Sequence, residues 1–270
     1  MTAALQYSFL LTDTELMAAA GRVGVRSFPS VLAVRPRYAT LDGLSDALGQ
    51  ATQALTAREL IVDGVVDGEL KAILAALQRP DRELAMRLVT PEGIARICVI
   101  RRGHLCVLAR RVGHDIALKN LGHSSELDDA AAALIAELPR ANPAEVTPVG
   151  APLTTVTEYL SGTHDPGVLA DRIRALGAEP RAAMLLGSAL ASRQAFAEIV
   201  YHHLDDEEDR IVRSPAAVGV FYTKRGRIVG APSASPAGQL WTTLKGGSDH
   251  AVGQAVAQLV ELADEGWGDL

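Results

Sequence analysis

Cys98 and Cys106 are the only cysteines of the chain, and they fall with His104 and His114 inside one run, IARICVIRRGHLCVLARRVGHDIALKNL, residues 94–121. Thiolates and imidazoles together can hold zinc, and a thiolate beside an imidazole can act as a nucleophile. A structural zinc site favours close C-x2-C type spacing, which is missing here. His202 and His203, followed by the acidic run from Asp205 to Asp209, form a second candidate ligand cluster. Neighbouring residues on a strand point to opposite faces, and an acidic run reads as a solvated loop. LLGSAL (185–190) lacks the G-x-S-x-G elbow of a serine hydrolase. KGGSDH (245–250) could seat an anion at a helix N-terminus, but without a P-loop lysine it reads as a helix start. No nucleophile, base and orienting residue can be assigned together. The expectation is a binding protein with no catalytic residue, metal or cofactor.

The elements around the cysteines explain them better than chemistry does. From Arg82 the chain reads RELAMRLV, TPEG, IARICVIR, RG, HLCVLARRV, GH, DIALKNL, β-branched and leucine-rich runs between short glycine-containing turns. This pattern predicts a meander of antiparallel strands. With Arg102-Gly103 as the turn, Arg101 faces His104, Val99 faces Cys106 and Cys98 faces Val107. The two thiols then point to opposite faces, so neither a disulfide nor a shared metal joins them.

The segment recurs. AVGVFYTKRGRIVGAPSA aligns with RICVIRRGHLCVLARR, with Gly226 on Gly103, an offset of 226 − 103 = 123. QLWTTLKGG then matches DIALKNLGH. Each copy is followed by an amphipathic helix, SSELDDAAAALIAELP with Ser125 and Asp128 as a capping box, and SDHAVGQAVAQLVELADEG with Ser248 as N-cap. The shared unit is helix, strand, hairpin, strand, helix. Ahead of the first copy, FPSVLAVRPRY from Phe28 reads as a first strand and DTELMAAAGRVG as a helix. In the second half PLTTVTEYLSG and PGVLADRIRALG read as helices. RANPAEVTPVGAP (140–152) is proline-rich and reads as a flexible linker. The predicted fold is α+β: a central antiparallel sheet with flanking helical bundles, one domain over 1–270, and two pseudo-twofold halves at 1–139 and 153–270.

Charge and composition narrow the partners. A net charge of -6 argues against nucleic acid, which draws on concentrated Lys and Arg. No run is apolar enough to insert in a membrane, and MTAALQYSFLLTDTEL lacks a basic n-region and cleavage pattern. A cytoplasmic location is expected.

Three segments, LLTDTELMAAAGRVGVRSFPSVLAVRPRY, GVVDGELKAILAALQRPDRELAMRLV and SPAAVGVFYTKRGRIVG with its continuation to Gly266-Trp267, resemble in order and spacing the EspG family of ESX (type VII) secretion chaperones. The resemblance covers nearly the whole chain. It implies a cytosolic chaperone that grips the helical tip of the PPE subunit in a PE–PPE heterodimer, keeps the pair soluble and directs it to a secretion system. It further implies a monomer or weak homodimer. Leu153, Val156, Tyr159 and Leu160 lie at helical spacing near one face and are the first candidates for the apolar partner surface, although the same four also fit an ordinary helix core. Tyr201 and Phe221 are candidates from the sheet. Thr90 and Glu92 are candidates from TPEG, where relatives often carry a longer loop that holds the tip; the longer excursion here is HHLDDEEDRIVRSP in the second half. The alternative reading is a small-ligand-binding protein or hydrolase with a pocket lined by Tyr201, Phe221, Tyr222 and Trp241.

Overall fold

Thr12 ends one element and starts the next. Strand β1 (Phe9–Thr12) alternates buried and exposed residues. The Thr12 hydroxyl then accepts the Glu15 N–H at 3.1 Å while the Glu15 carboxylate accepts the Thr12 N–H at 2.7 Å, a capping box that opens α1 (Asp13–Arg22). The computed structural model describes residues 8–123, 126–205 and 207–268. Beyond α1 the chain runs α2 (Leu41–Ala57), β2 (Ile61–Val62), β3 (Val65–Val66), α3 (Gly68–Gln78), β4 (Arg82–Thr90), β5 (Gly93–Arg102), β6 (Leu105–Val112), β7 (Asp115–His123) and α4 (Leu127–Ile135). It continues through β8 (Val149–Pro152), α5 (Leu153–Leu160), α6 (Pro166–Ala175), α7 (Pro180–Ala191), β9 (Arg193–Asp205), β10 (Arg210–Arg213), β11 (Val218–Thr223), β12 (Gly226–Ala234), β13 (Leu240–Gly246) and α8 (Asp249–Glu261). The fold is α+β, with antiparallel strands throughout both of its compact units.

The first unit holds residues 8–83 and 95–123. Its strands lie in the order β1-β7-β6-β5. One face packs Cys98, Ile100, Val107, Ala109 and Leu118 against Leu16 of α1 and Leu70, Ile73, Leu74 and Leu77 of α3. The connection from α1 to α2 closes this core, because Leu32 is fully buried in it, with Phe28, Val31 and Val34 packed alongside. FPSVLAVRPRY is therefore not a strand. A single 3-10 turn at Ser30–Leu32 is followed by Ala33 in the left-handed region, at φ 49°. Arg111 pins the turn by donating to the carbonyls of Leu32 at 2.7 Å and Ala33 at 2.5 Å, and to Asp13 at 3.1 Å.

The β5–β6 hairpin turns one residue later than its sequence indicates. Arg102 pairs with Leu105, Arg101 with Cys106 and Cys98 with Ala109, so the turn is Gly103-His104, with Gly103 at φ 56°. Moving a turn by one residue preserves which residues share a face. Cys98 and Cys106 accordingly point to opposite faces, both buried, in no disulfide.

The second unit holds residues 84–94 and 126–268. Its strands follow the order β4-β9-β11-β12-β13-β8, with β10 paired to β9. HHLDDEEDRIVRSP is thus partly strand. One face of this sheet packs Ile228, Leu244 and Val149 against Val156, Leu169, Ile173, Leu186 and Leu190 of α5, α6 and α7. Helix α8, capped by the Ser248 hydroxyl on the Ala251 N–H at 3.1 Å, crosses β9, β11 and β12. Helix α4 packs on α8 and belongs to this unit. It starts at Leu127; Ser125, the expected cap, lies outside the described residues.

The proline-rich stretch 140–152 is tied down. Arg227 donates its N–H to the Asn142 carbonyl at 2.7 Å and accepts that of Ala144 at 2.9 Å, and Val149–Pro152 forms β8. Gly226 makes this approach feasible, since a Cβ there would sit 2.8 Å from Ala144 N. The β11–β12 turn is Lys224-Arg225, between paired Thr223 and Gly226. Gly226 thus follows its turn, while Gly103 sits inside its own, and the aligned glycines serve different purposes.

Candidate functional site

The alternation of β9 separates two faces. Ala197, Ile199 and Tyr201 are buried, while Phe196 and Glu198 face the other way. Across the sheet, Glu198 pairs with Gly219, Gly219 with Gly230, Gly230 with Leu244 and Leu244 with Val149. One row on the helix-bearing face therefore runs from a carboxylate, over two residues without side chains, to buried Leu244. Above the gap lies a groove of about 1280 Å³. Leu153, Val156 and Leu160 of α5 form one wall, and Phe196 and Phe221, with ring centroids 5.1 Å apart, form the other. The α5–α6 connection, Ser161 to His164, edges it. Arg193, Glu198 and Arg213 add charge at the rim, with Arg213 Nη2 3.6 Å from Glu198 Oε1. Among the described residues, none of these rim groups is paired with a nucleophile; the arrangement suits adhesion of an apolar surface.

The sequence candidates divide on this geometry. Leu153, Val156, Leu160 and Phe221 converge on the groove. Tyr159 does not line it; it lies half-buried on α5, and its carbonyl accepts from Arg172 at 2.9 Å. The reason is helical phase, since Val156 and Leu160 are a turn apart while Tyr159 is rotated away from them. Tyr201 is fully buried, with its hydroxyl donating to the Glu265 carbonyl at 3.1 Å and its ring 6.4 Å from that of Trp267. It anchors the C-terminal segment. Thr90 ends β4 and Glu92 sits in the short turn to β5, both outside the groove lining. The Thr90 hydroxyl donates to the Gly93 carbonyl at 3.4 Å, and its hydrogen bond to Glu92 holds that exposed carboxyl below its usual range.

The pocket of four aromatic residues does not assemble. Phe221 and Tyr222 are consecutive on β11 and point to opposite faces. Tyr222 instead faces buried Arg227, and burial raises the phenol above its usual pKa. Trp241 lies on β13, half-buried and outside the groove lining. His202 and His203 likewise alternate on β9; burial, with Arg213 and His203 nearby, pushes His202 below its usual pKa.

Residues that sequence reasoning missed are Phe196, Gly219 and Gly230. Their signal was present: Phe196 stands opposite Phe221 once β9 and β11 pair, and glycine inside a β-rich run marks close approach or a missing side chain.

The family model for the EspG family matches residues 12–258. The ESX-3 secretion-associated protein EspG3 of Mycolicibacterium smegmatis is 26% identical over 261 residues, covering 95% of this chain and 87% of that protein. Among solved structures, the Mycobacterium tuberculosis type VII secretion system chaperone EspG5, in complex with a PE25-PPE41 dimer, superposes with a TM-score of 0.78 at 18% identity. That likeness covers 96% of this chain and 97% of EspG5. The match over 12–258 takes in residues of both compact units, and on it the chain belongs to the EspG family.

Proposed function

We propose that this protein is a cytoplasmic chaperone of type VII secretion that binds a PE–PPE heterodimer without catalysis, and that the groove of the second unit receives the apolar tip of the PPE subunit. The supporting observation is an open apolar groove, walled by Leu153, Val156, Leu160, Phe196 and Phe221, in a member of the EspG family. An exposed apolar helical tip is an aggregation hazard, and a complementary apolar surface removes it from water. The described helices include none long and apolar enough to cross a membrane. The test is co-expression with each PE–PPE pair of the same genome, followed by gel filtration. One pair co-elutes with wild type, and a folded Leu160→Ala, Phe221→Ala variant loses it. Folded wild type that binds no pair overturns the function; a variant that keeps full binding overturns the site alone.

A further inference from the structure

The floor of the groove contains two glycines that the backbone does not require. Gly219 and Gly230 pair directly across β11 and β12, and neither has a positive φ. Glycine in a strand interior sacrifices packing and adds chain entropy to the unfolded state, so it is costly without a reason. At Gly230 a Cβ would meet Thr242 Oγ1 at 3.4 Å and Leu244 Cδ2 at 3.5 Å, ordinary contacts that leave room for a methyl group. Crowding from this chain therefore does not exclude alanine at position 230. At Gly219 a Cβ would press on the Phe221 ring at 3.2 Å and approach that of Phe196 at 3.6 Å. The aromatic rings thus lie down over Gly219, and the missing side chain at Gly230 leaves the floor low between them and Leu244, with Glu198 on the far side of Gly219.

We propose that the Gly219–Gly230 pair is a socket that sets partner specificity: it accepts one large aliphatic or aromatic side chain projecting from the bound helical tip, and it selects that side chain by size. The inference rests on the groove being the tip-binding site. A size-selective socket follows from close packing, since an added methyl on the floor displaces an inserted side chain from its contacts.

The test uses the full chain and the PE–PPE pair that co-purifies with wild type. Gly230→Ala retains the wild-type circular dichroism spectrum and melting temperature and weakens the pair at least about tenfold. Gly253→Ala on α8, where a Cβ would meet only Ile135 at 3.7 Å, leaves affinity unchanged. In the partner, alanine replaces each large apolar tip residue in turn. One such replacement weakens binding to wild type strongly but to Gly230→Ala little, because the socket residue is already expelled there. Equal losses in both backgrounds for every tip residue, or a folded Gly230→Ala that binds as wild type does, overturn the socket. If Gly230→Ala does not fold, truncation of the tip is measured against Gly230→Ser, and the socket is overturned if no truncation distinguishes it from wild type. Wild type that binds no pair instead defeats the chaperone reading on which the socket rests.

Discussion

The two halves of the sequence repeat much of one order of elements, and the two compact units differ in what covers the sheet. Apart from the β2–β3 hairpin and β10, each sequence half runs strand, three helices, four strands, helix: β1, α1 to α3, β4 to β7 and α4, then β8, α5 to α7, β9 with β11 to β13, and α8, although most of β4 and all of α4 fall in the second compact unit. Counted from the hairpin turns, Cys98 and Ala109 correspond to Gly219 and Gly230. In the first unit that row is sealed. Helix α3 buries Leu70, Ile73, Leu74 and Leu77, and the long α1–α2 connection inserts Leu32. In the second, α7 buries mostly Ala182, Ala183, Gly187 and Ala189, and the α5–α6 connection is the short polar stretch from Ser161 to Asp165. The second helix is shorter too: α2 has 17 residues and α6 has 10. The same framework thus yields a closed core once and an open groove once, and the difference lies in a plug and a few side-chain volumes.

The largest effect should follow from removing the pin that holds the plug. Arg111→Ala strips donors from the Leu32 and Ala33 carbonyls and removes the buried partner of Asp13, itself at 6% exposure, leaving it only the more exposed Arg37 at 3.9 Å and His114 at 3.2 Å. Urea denaturation should show a loss of about 4 kcal/mol, as for a broken buried pair. Affinity of the folded fraction for the partner should not change, since the groove belongs to the other unit. A marked change would break the comparison.

A buried carboxyl gives the first unit a pH signature. Burial raises Glu83 from 4.5 to about 7. Its folded-state pKa exceeds the unfolded value, so stability is complete below pH 4.5 and falls as pH rises through about 7. Glu83→Gln cannot ionise. It should match wild type at pH 4 and exceed it by about 3 kcal/mol above pH 7 in denaturation curves, with the gain appearing between those values. Flat curves for the difference would show that Glu83 is not desolvated.

Smaller effects sharpen the reading of α5. Leu160→Ala should weaken partner binding about tenfold by calorimetry, and Tyr159→Ala by less than about twofold. The reverse ranking would place the partner on the other side of the helix.

These contrasts also show what the sequence carried. The meander, the helices and the shared element order were legible because strand alternation and helix caps are local signals: Ser248 caps α8 as its spacing indicates. The strand expected at Phe28 failed because its apolar residues plug a core, and the arginine that decides this lies some eighty residues away on β6. Thr12 as a capping-box residue was readable in principle, since Glu15 stands three residues on. Leu153, Val156 and Leu160 were found by helical spacing, but Tyr159 and Tyr201 were included because aromatic residues suit interfaces, a preference blind to helical phase and burial. Phe196 and the glycine pair depend on how β9, β11 and β12 register, and that pairing is set by tertiary contacts.

The central claim is that the open face of the second unit, and not the closed face of the first, receives the partner. Hydrogen–deuterium exchange on the full chain, alone and with the co-purifying PE–PPE pair, tests it directly. The account predicts slowed exchange in 153–164 and 213–221, with residues 28–38 and 61–66 of the first unit unchanged. Protection confined to the first unit, with 153–164 and 213–221 exchanging as in the free chain, would contradict it.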